Sequence, residues 1–299
     1  MVITGFLADG YTDPFYLRFT TPQQTSLIIG TSRAANGLHP DVLNRELAGA
    51  YANINLYNFS FTLDDSPFGP TYFNAIKRKL QENTTTGVFI VTVDPWSVAA
   101  RKVEGDDETK FVEKQKCIGK TKWVNLHPNF FYLLNAYNAP YLTILTKKAR
   151  TTFFASSTQT LLHDDGWLEV NLSLDSLSRA QWLQENVDIY QNNYLPTYTS
   201  SATRQLYLAR TIEFLQQHGD VYLVRLPVHP DLCRIDDTFF PGFDLFIDSL
   251  SKKYKVPYIN FAKDALKYTY RDGIHVEKAS GVKLSGELVH AIILKKQGR

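Results

Sequence analysis

A chain of 299 residues with 44% hydrophobic content is long enough to bury a full core, as one large domain or two small ones. Its 32 Lys and Arg against 30 Asp and Glu leave a net charge of +2, which supplies no general attraction to phosphate backbones or anionic lipid, so nucleic acid is not an expected partner. The two cysteines, Cys117 and Cys233, lack the spacing of a zinc site; one disulfide is allowed, and no metal or cofactor is expected.

The first stretch, MVITGFLADGYTDPFYLRF, is broken by Asp9, Gly10 and Asp13 and lacks the continuous apolar region of a signal peptide. No window of the chain reaches the roughly 20 apolar residues of a membrane span. SLIIG at 26–30 reads as a buried strand, followed by a helix in PDVLNRELAGAY, where Val42, Leu43, Leu47 and Ala48 share a face. INLYNFS at 54–60 reads as a second strand, and FGPTYFNAIKRKLQEN as a helix with Pro70 in its first turn. GVFIVTVDP at 87–95 is the clearest strand.

The alternation then lapses from 98 to about 200. A charged run, RKVEGDDETKFVEKQK, is expected to be a solvated helix face or a mobile loop; the segments NFFYLLNAYNAPYL and HDDGWLEVNLSL are rich in aromatics. The stretch is too long for an ordinary loop and reads as an insertion or lid with its own helices and a hairpin. Its aromatics, with Trp96, either line a cleft suited to stacking on sugar rings or form a small core of the insertion. Regularity returns with a helix in SATRQLYLARTIEFLQQHG, the strand DVYLVRLPV, a helix in FDLFIDSLSKKY, the short strand VPYINFA and a closing helix in ASGVKLSGELVHAIILKK. The pattern predicts one three-layer α/β domain over 1–299, interrupted once.

In an open parallel sheet, ligands collect beyond the carboxyl ends of the strands. The residues there are Thr31, Ser32 and Arg33; Asn58 and Ser60; Asp94 and Trp96; Arg225 and His229; and Asn260. Near the chain's end, YRDGIHVEKASG places Asp272 three residues before His275. A serine hydroxyl needs a base to take its proton, and the base works best when a carboxylate fixes its tautomer. Each residue alone has a plainer reading: a Ser after a Gly is usually a turn or helix cap, and Asp-Gly usually a turn. His39 and His229, next to prolines, are further candidates for lining the site, whereas His127 and His163 have no metal-ligand spacing.

Two blocks, IIGTSRAANGLHP and DGIHVEKASGVKLS, resemble the first and last motifs of the SGNH, or GDSL-type, hydrolases, and among these the DltD-like group that acts on cell-envelope polymers. The resemblance covers roughly residues 24–97 and 200–295. It implies a flavodoxin-like sandwich with a five-stranded parallel sheet, Ser32 as nucleophile, His275 as general base and Asp272 as its orienting partner. It also implies a small-molecule or glycan ester substrate, no cofactor, and a place in the cell envelope or periplasm.

The chain departs from the family pattern in three places. Arg33 stands where the commoner motif has an apolar residue. YNFSFT lacks the second block's glycine, so Ser60 or a neighbouring amide would have to serve the oxyanion, and Asp94 replaces the usual Asn. An ionised Asp94 would repel an oxyanion unless Arg33 or Arg225 neutralises it; those arginines could instead bind an anionic substrate group. The expectation is a serine-dependent esterase or acyltransferase on a carbohydrate or cell-envelope polymer. The alternative is a non-catalytic glycan-binding or scaffolding protein of the same fold. A nucleotide-binding protein is a weaker third reading, because GTSRAANG has neither P-loop nor dinucleotide spacing.

Overall fold

Six consecutive buried residues, Gly87–Thr92, form the longest run of uniformly buried strand, β3. A computed structural model describes residues 2–62, 64–137, 140–146, 160–172 and 174–298. In it β3 lies at the centre of a sheet with β1 (Ser26–Ile29), β2 (Leu56–Asn58), β8 (Gly219–Arg225) and β9 (Tyr258–Asn260), in the order β2-β1-β3-β8-β9. All pairings are parallel, with Leu27 opposite Phe89 and Val91 opposite Leu223. The order reverses between β1 and β3, which opens a crevice beyond their carboxyl ends.

Side chains alternate across a strand, so each face of the sheet collects every second residue. Leu27, Ile29, Phe89, Val91, Val221 and Leu223 pack against the helices Pro70–Lys79, Ala202–Gln216 and Phe243–Tyr254. Ile28, Val88, Ile90, Tyr222 and Val224 pack against Pro40–Leu47 and Lys278–Gln297, through Leu43, Leu47, Leu284, Leu288 and Ile292. The result is a flavodoxin-like three-layer α/β sandwich. Each of these aliphatic side chains contributes roughly 1.5–3 kcal/mol by leaving water. Among the described residues no helix is long and apolar enough to cross a membrane.

Between β3 and the helix Ala202–Gln216, β4 (Ala99–Arg101) pairs antiparallel with β7 (Tyr198–Ser200), bringing the two ends of the irregular region together. β5 (Thr160–Leu162) and β6 (Leu168–Val170) form a hairpin. A helix, Ser176–Ile189, lies over the surface without one fully buried residue.

Three expectations need correction, and one element is added. The charged run is largely an exposed loop, as expected, but it is anchored inward at two carboxylates: Glu113 is fully buried, 2.5 Å from Arg204, and Glu104 accepts the amides of Arg101 and Val112. The aromatic segments do not form a separate small core. Tyr132 joins the main core, 4.9 Å from Phe19 and bonded to Asp13, while Trp167 packs between His39 and His163; Asn138, Ala139 and Ser173 of these segments lie outside the described residues. Cys117 and Cys233 are free thiols. Pro230–Phe239, to which the sequence pattern assigns no element, is a ten-residue helix.

Candidate active site

Strand β1 ends at Ile29, and the chain turns through Gly30 and Thr31 into the helix Ser32–Gly37. A Cβ at Gly30 would collide with Thr92 on β3, so the turn needs glycine to let the two strand ends close up. Ala34 and Ala35 donate their amides back to Thr31, while the Ser32 and Arg33 amides have no acceptor among the described residues. Ser32 is half-buried and faces a cleft of about 340 Å³ that His275 also lines.

His275 is held by its own tight loop. Gly273 has φ +83°, a conformation that favours glycine, and this lets Asp272 turn back on the residues that follow it. Asp272 Oδ1 accepts the amides of Ile274 (3.0 Å) and His275 (2.8 Å), and Oδ2 accepts from His275 Nδ1 at 2.7 Å. Burial pushes the Asp272 carboxyl up, but the charge and hydrogen bonds of His275 outweigh it, with help from Arg271, and hold it well below the usual carboxylate range. An ionised Asp272 fixes the proton on Nδ1 and leaves a lone pair on Nε2. That Nε2 is buried without a hydrogen-bond partner among the described residues. Ser32 Oγ is not hydrogen-bonded to it; such bonds are often loose without substrate.

Asp94 caps the helical turn Pro95–Val98: Oδ1 accepts the Ser97 amide at 2.9 Å, and Oδ2 lies 3.8 Å from Arg33 Nη1. Burial raises its pKa, with Arg33 acting the other way. Arg33 is itself engaged, its Nη1 and Nη2 donating to Asp236 at 3.1 and 3.5 Å. Burial would lower the guanidinium's pKa, but Asp236 and Asp94 outweigh it and the net shift is upward. Trp96 Nε1 donates to the same Asp236 carboxylate at 2.7 Å, and the indole stacks on Phe239 with centroids 4.0 Å apart.

Of the other predicted residues, Ser60 is fully buried, with its amide on Asn58 Oδ1 and its hydroxyl on Ile28 O, and it does not line the cleft. Asn58 reaches the carbonyls of Ala34 and Leu38 instead of the cleft. Asn260 accepts the Ala262 amide. Arg225 bonds Asp244 at 2.9 Å, and His229 caps the helix Pro230–Phe239; neither lines the cleft. His39 stacks on Trp167 away from it. After β2 the amides of Phe59, Ser60 and Phe61 are all taken, so the first without an acceptor among the described residues is that of Thr62, which does line the cleft.

Sequence reasoning missed the cleft's far wall. Tyr190, Tyr194 and Tyr198 face Trp96 at centroid distances of 5.1, 5.8 and 6.3 Å, the first two carried on a π-helical turn, Tyr190–Tyr194. Their spacing of four residues was the available signal. Tyr194 also bonds Asp64 at the rim, and Asn186 Nδ2 donates to the Asp272 carbonyl at 2.9 Å. The irregular region therefore both walls the cleft and touches the loop that carries His275. Comparison of the chain with protein-family models and with curated proteins found no match to either.

Proposed function

We propose that this protein is a serine-dependent esterase or acyltransferase acting through an acyl-Ser32 intermediate. The observation that carries the reading is His275 Nε2, a buried, unpartnered base on the cleft that Ser32 faces, with its other nitrogen held by Asp272. A buried polar atom without a partner is costly, and catalytic bases are one recurring reason for tolerating it. In this scheme Nε2 takes the Ser32 proton as Oγ attacks the ester carbonyl. The oxyanion meets the amides of Ser32, Arg33 and Thr62, which have no acceptor among the described residues. Collapse breaks the ester bond, and the leaving alcohol takes the proton from His275. Water or a sugar hydroxyl, giving its proton to His275 Nε2, then attacks the acyl carbon; the bond from that carbon to Ser32 Oγ breaks, Oγ takes the proton back, and the product is an acid or a new ester.

A carbohydrate or cell-envelope polymer as substrate draws on the motif resemblance and on the wall of Trp96, Tyr190, Tyr194 and Tyr198, whose flat faces suit sugar rings. The rival, a non-catalytic glycan-binding protein, draws on one observation: Asp94 stands at the end of β3 with its carboxylate used as a helix cap, so it supplies no donor to an oxyanion. A serine-directed fluorophosphonate separates the two. The catalytic reading expects one covalent label, mapped to Ser32 by mass spectrometry, and a fall of roughly 10⁴-fold or more in ester turnover in Ser32→Ala. No label together with retained glycan affinity would establish the rival.

A further inference from the structure

Arg33 follows the candidate nucleophile directly and lines its cleft, so a free guanidinium there would recruit an anionic acyl group. The structure gives Arg33 no such freedom. Both of its Nη atoms bond the carboxylate of Asp236, which is fully buried, and Asp94 lies 3.8 Å away on the cleft side. The nearby Arg225 is ion-paired as well, its Nη1 2.9 Å from Asp244 and its Nη2 3.5 Å from Asp237 and 3.8 Å from Asp236. Beside and behind the cleft two guanidinium groups thus meet four carboxyl groups, and Arg33 brings no surplus positive charge into it. Asp236 in addition takes the indole N–H of Trp96, so one buried carboxylate fixes both the charge beside Ser32 and the aromatic wall opposite.

We infer that Asp236 is a specificity-determining residue: by holding Arg33 in a closed pair it makes the cleft select uncharged acyl groups and reject anionic ones. The inference rests on Ser32 as acyl carrier. Asp236 touches no reacting atom and acts through Arg33.

The test compares p-nitrophenyl acetate with p-nitrophenyl hemisuccinate. The full chain should favour acetate at least tenfold in kcat/KM. Asp236→Asn preserves the shape and an acceptor for Trp96 while releasing the Arg33 charge, and should shrink that preference at least tenfold through a gain on hemisuccinate. A wild-type preference for hemisuccinate, or a smaller change in the variant, overturns the inference. Should Asp236→Asn fail to fold, the double variant Arg33→Gln/Asp236→Asn, which carries neither charge, takes its place. A selectivity within threefold of wild type then supports a silent Arg33, and a larger shift refutes it. Benzoate binding by titration calorimetry keeps this separate from the acyl-enzyme reading: Asp236→Asn should bind benzoate at least tenfold tighter than wild type even if neither ester turns over, and equal affinities count against the pair's role.

Discussion

The two faces of the sheet are built on different terms. On the side of Pro40–Leu47 and Lys278–Gln297, two regular helices lay apolar side chains on Ile28, Ile90 and Val224. The opposite side carries three regular helices and also irregular segments, and there Arg18, Lys79 and Arg204 are fully buried. Loops brought into a core arrive with carbonyls that no ladder satisfies. Arg18 donates to the carbonyls of Pro14 and Gly166, Arg204 to that of Phe68, and Lys79 to those of Arg18, Thr21 and Val124. Buried basic side chains thus do for the irregular side, through their N–H donors, what backbone ladders do for the regular one, and the cleft wall depends on that side.

The strongest way to break the comparison is at Arg204. Its guanidinium pairs with Glu113 at 2.5 Å, both groups fully buried, and reaches Asp65 at 3.1 Å beside the cleft rim. Arg204→Met leaves Glu113 buried without its cation and should cost roughly 3–5 kcal/mol in urea unfolding. Arg204→Met/Glu113→Gln should recover part of that loss, because only Asp65, beside the cleft rim, is then left without its cation. A loss in the single variant no larger than an ordinary surface change would show that the irregular side does not rely on this pair.

A smaller effect is expected at Lys79, whose Nζ has four oxygen partners within 3.1 Å, counting the Thr21 hydroxyl. Lys79→Met keeps the apolar stem and removes the donor, so the loss should be roughly 2–4 kcal/mol from stranded buried acceptors. A matched change on the regular face, Leu288→Met, should cost less than about 1.5 kcal/mol. Equal costs at the two positions would erase the distinction between the faces.

The same division governs what the sequence made legible. The regular face follows from periodicity: Leu284, Leu288 and Ile292 recur at helical spacing, and GVFIVT is apolar enough to mark β3. The outer strands are shorter than their apolar runs: regular strand β2 spans only Leu56–Asn58, while the buried Phe59 and Phe61 follow it with single amide bonds to Ile28 and Gly30. Hydrophobicity reports burial and outruns pairing. The helix Pro230–Phe239 went unread because Cys233, Asp236 and Asp237 interrupt its apolar stripe. At the site, Ser32, Asp272 and His275 were legible from their places after a strand and before a helix. Asp236 was not, since it meets Arg33 across 203 positions and nothing local marks it.

The mildest prediction probes the regular face at His39, a mostly buried imidazole against Trp167 whose Nε2 has no partner among the described residues. Burial pushes its pKa down to about 4, with the nearby charges of Asp41 and Lys278 pulling in opposite directions. The folded state therefore binds this proton less readily than the unfolded chain, whose histidine titrates near 6.5. Between those values the unfolded state holds more protons, so stability rises with pH. The contribution is complete above pH 6.5 and is lost as pH falls toward 4, amounting to about 1 kcal/mol by pH 5.5. Urea midpoints at pH 7.5 and 5.5 read it directly: wild type should lose more stability on acidification than His39→Leu, whatever their difference at pH 7.5. Equal pH dependence would mean that the imidazole accepts its proton without leaving its place, which would make the regular face more tolerant of charge than its apolar packing implies.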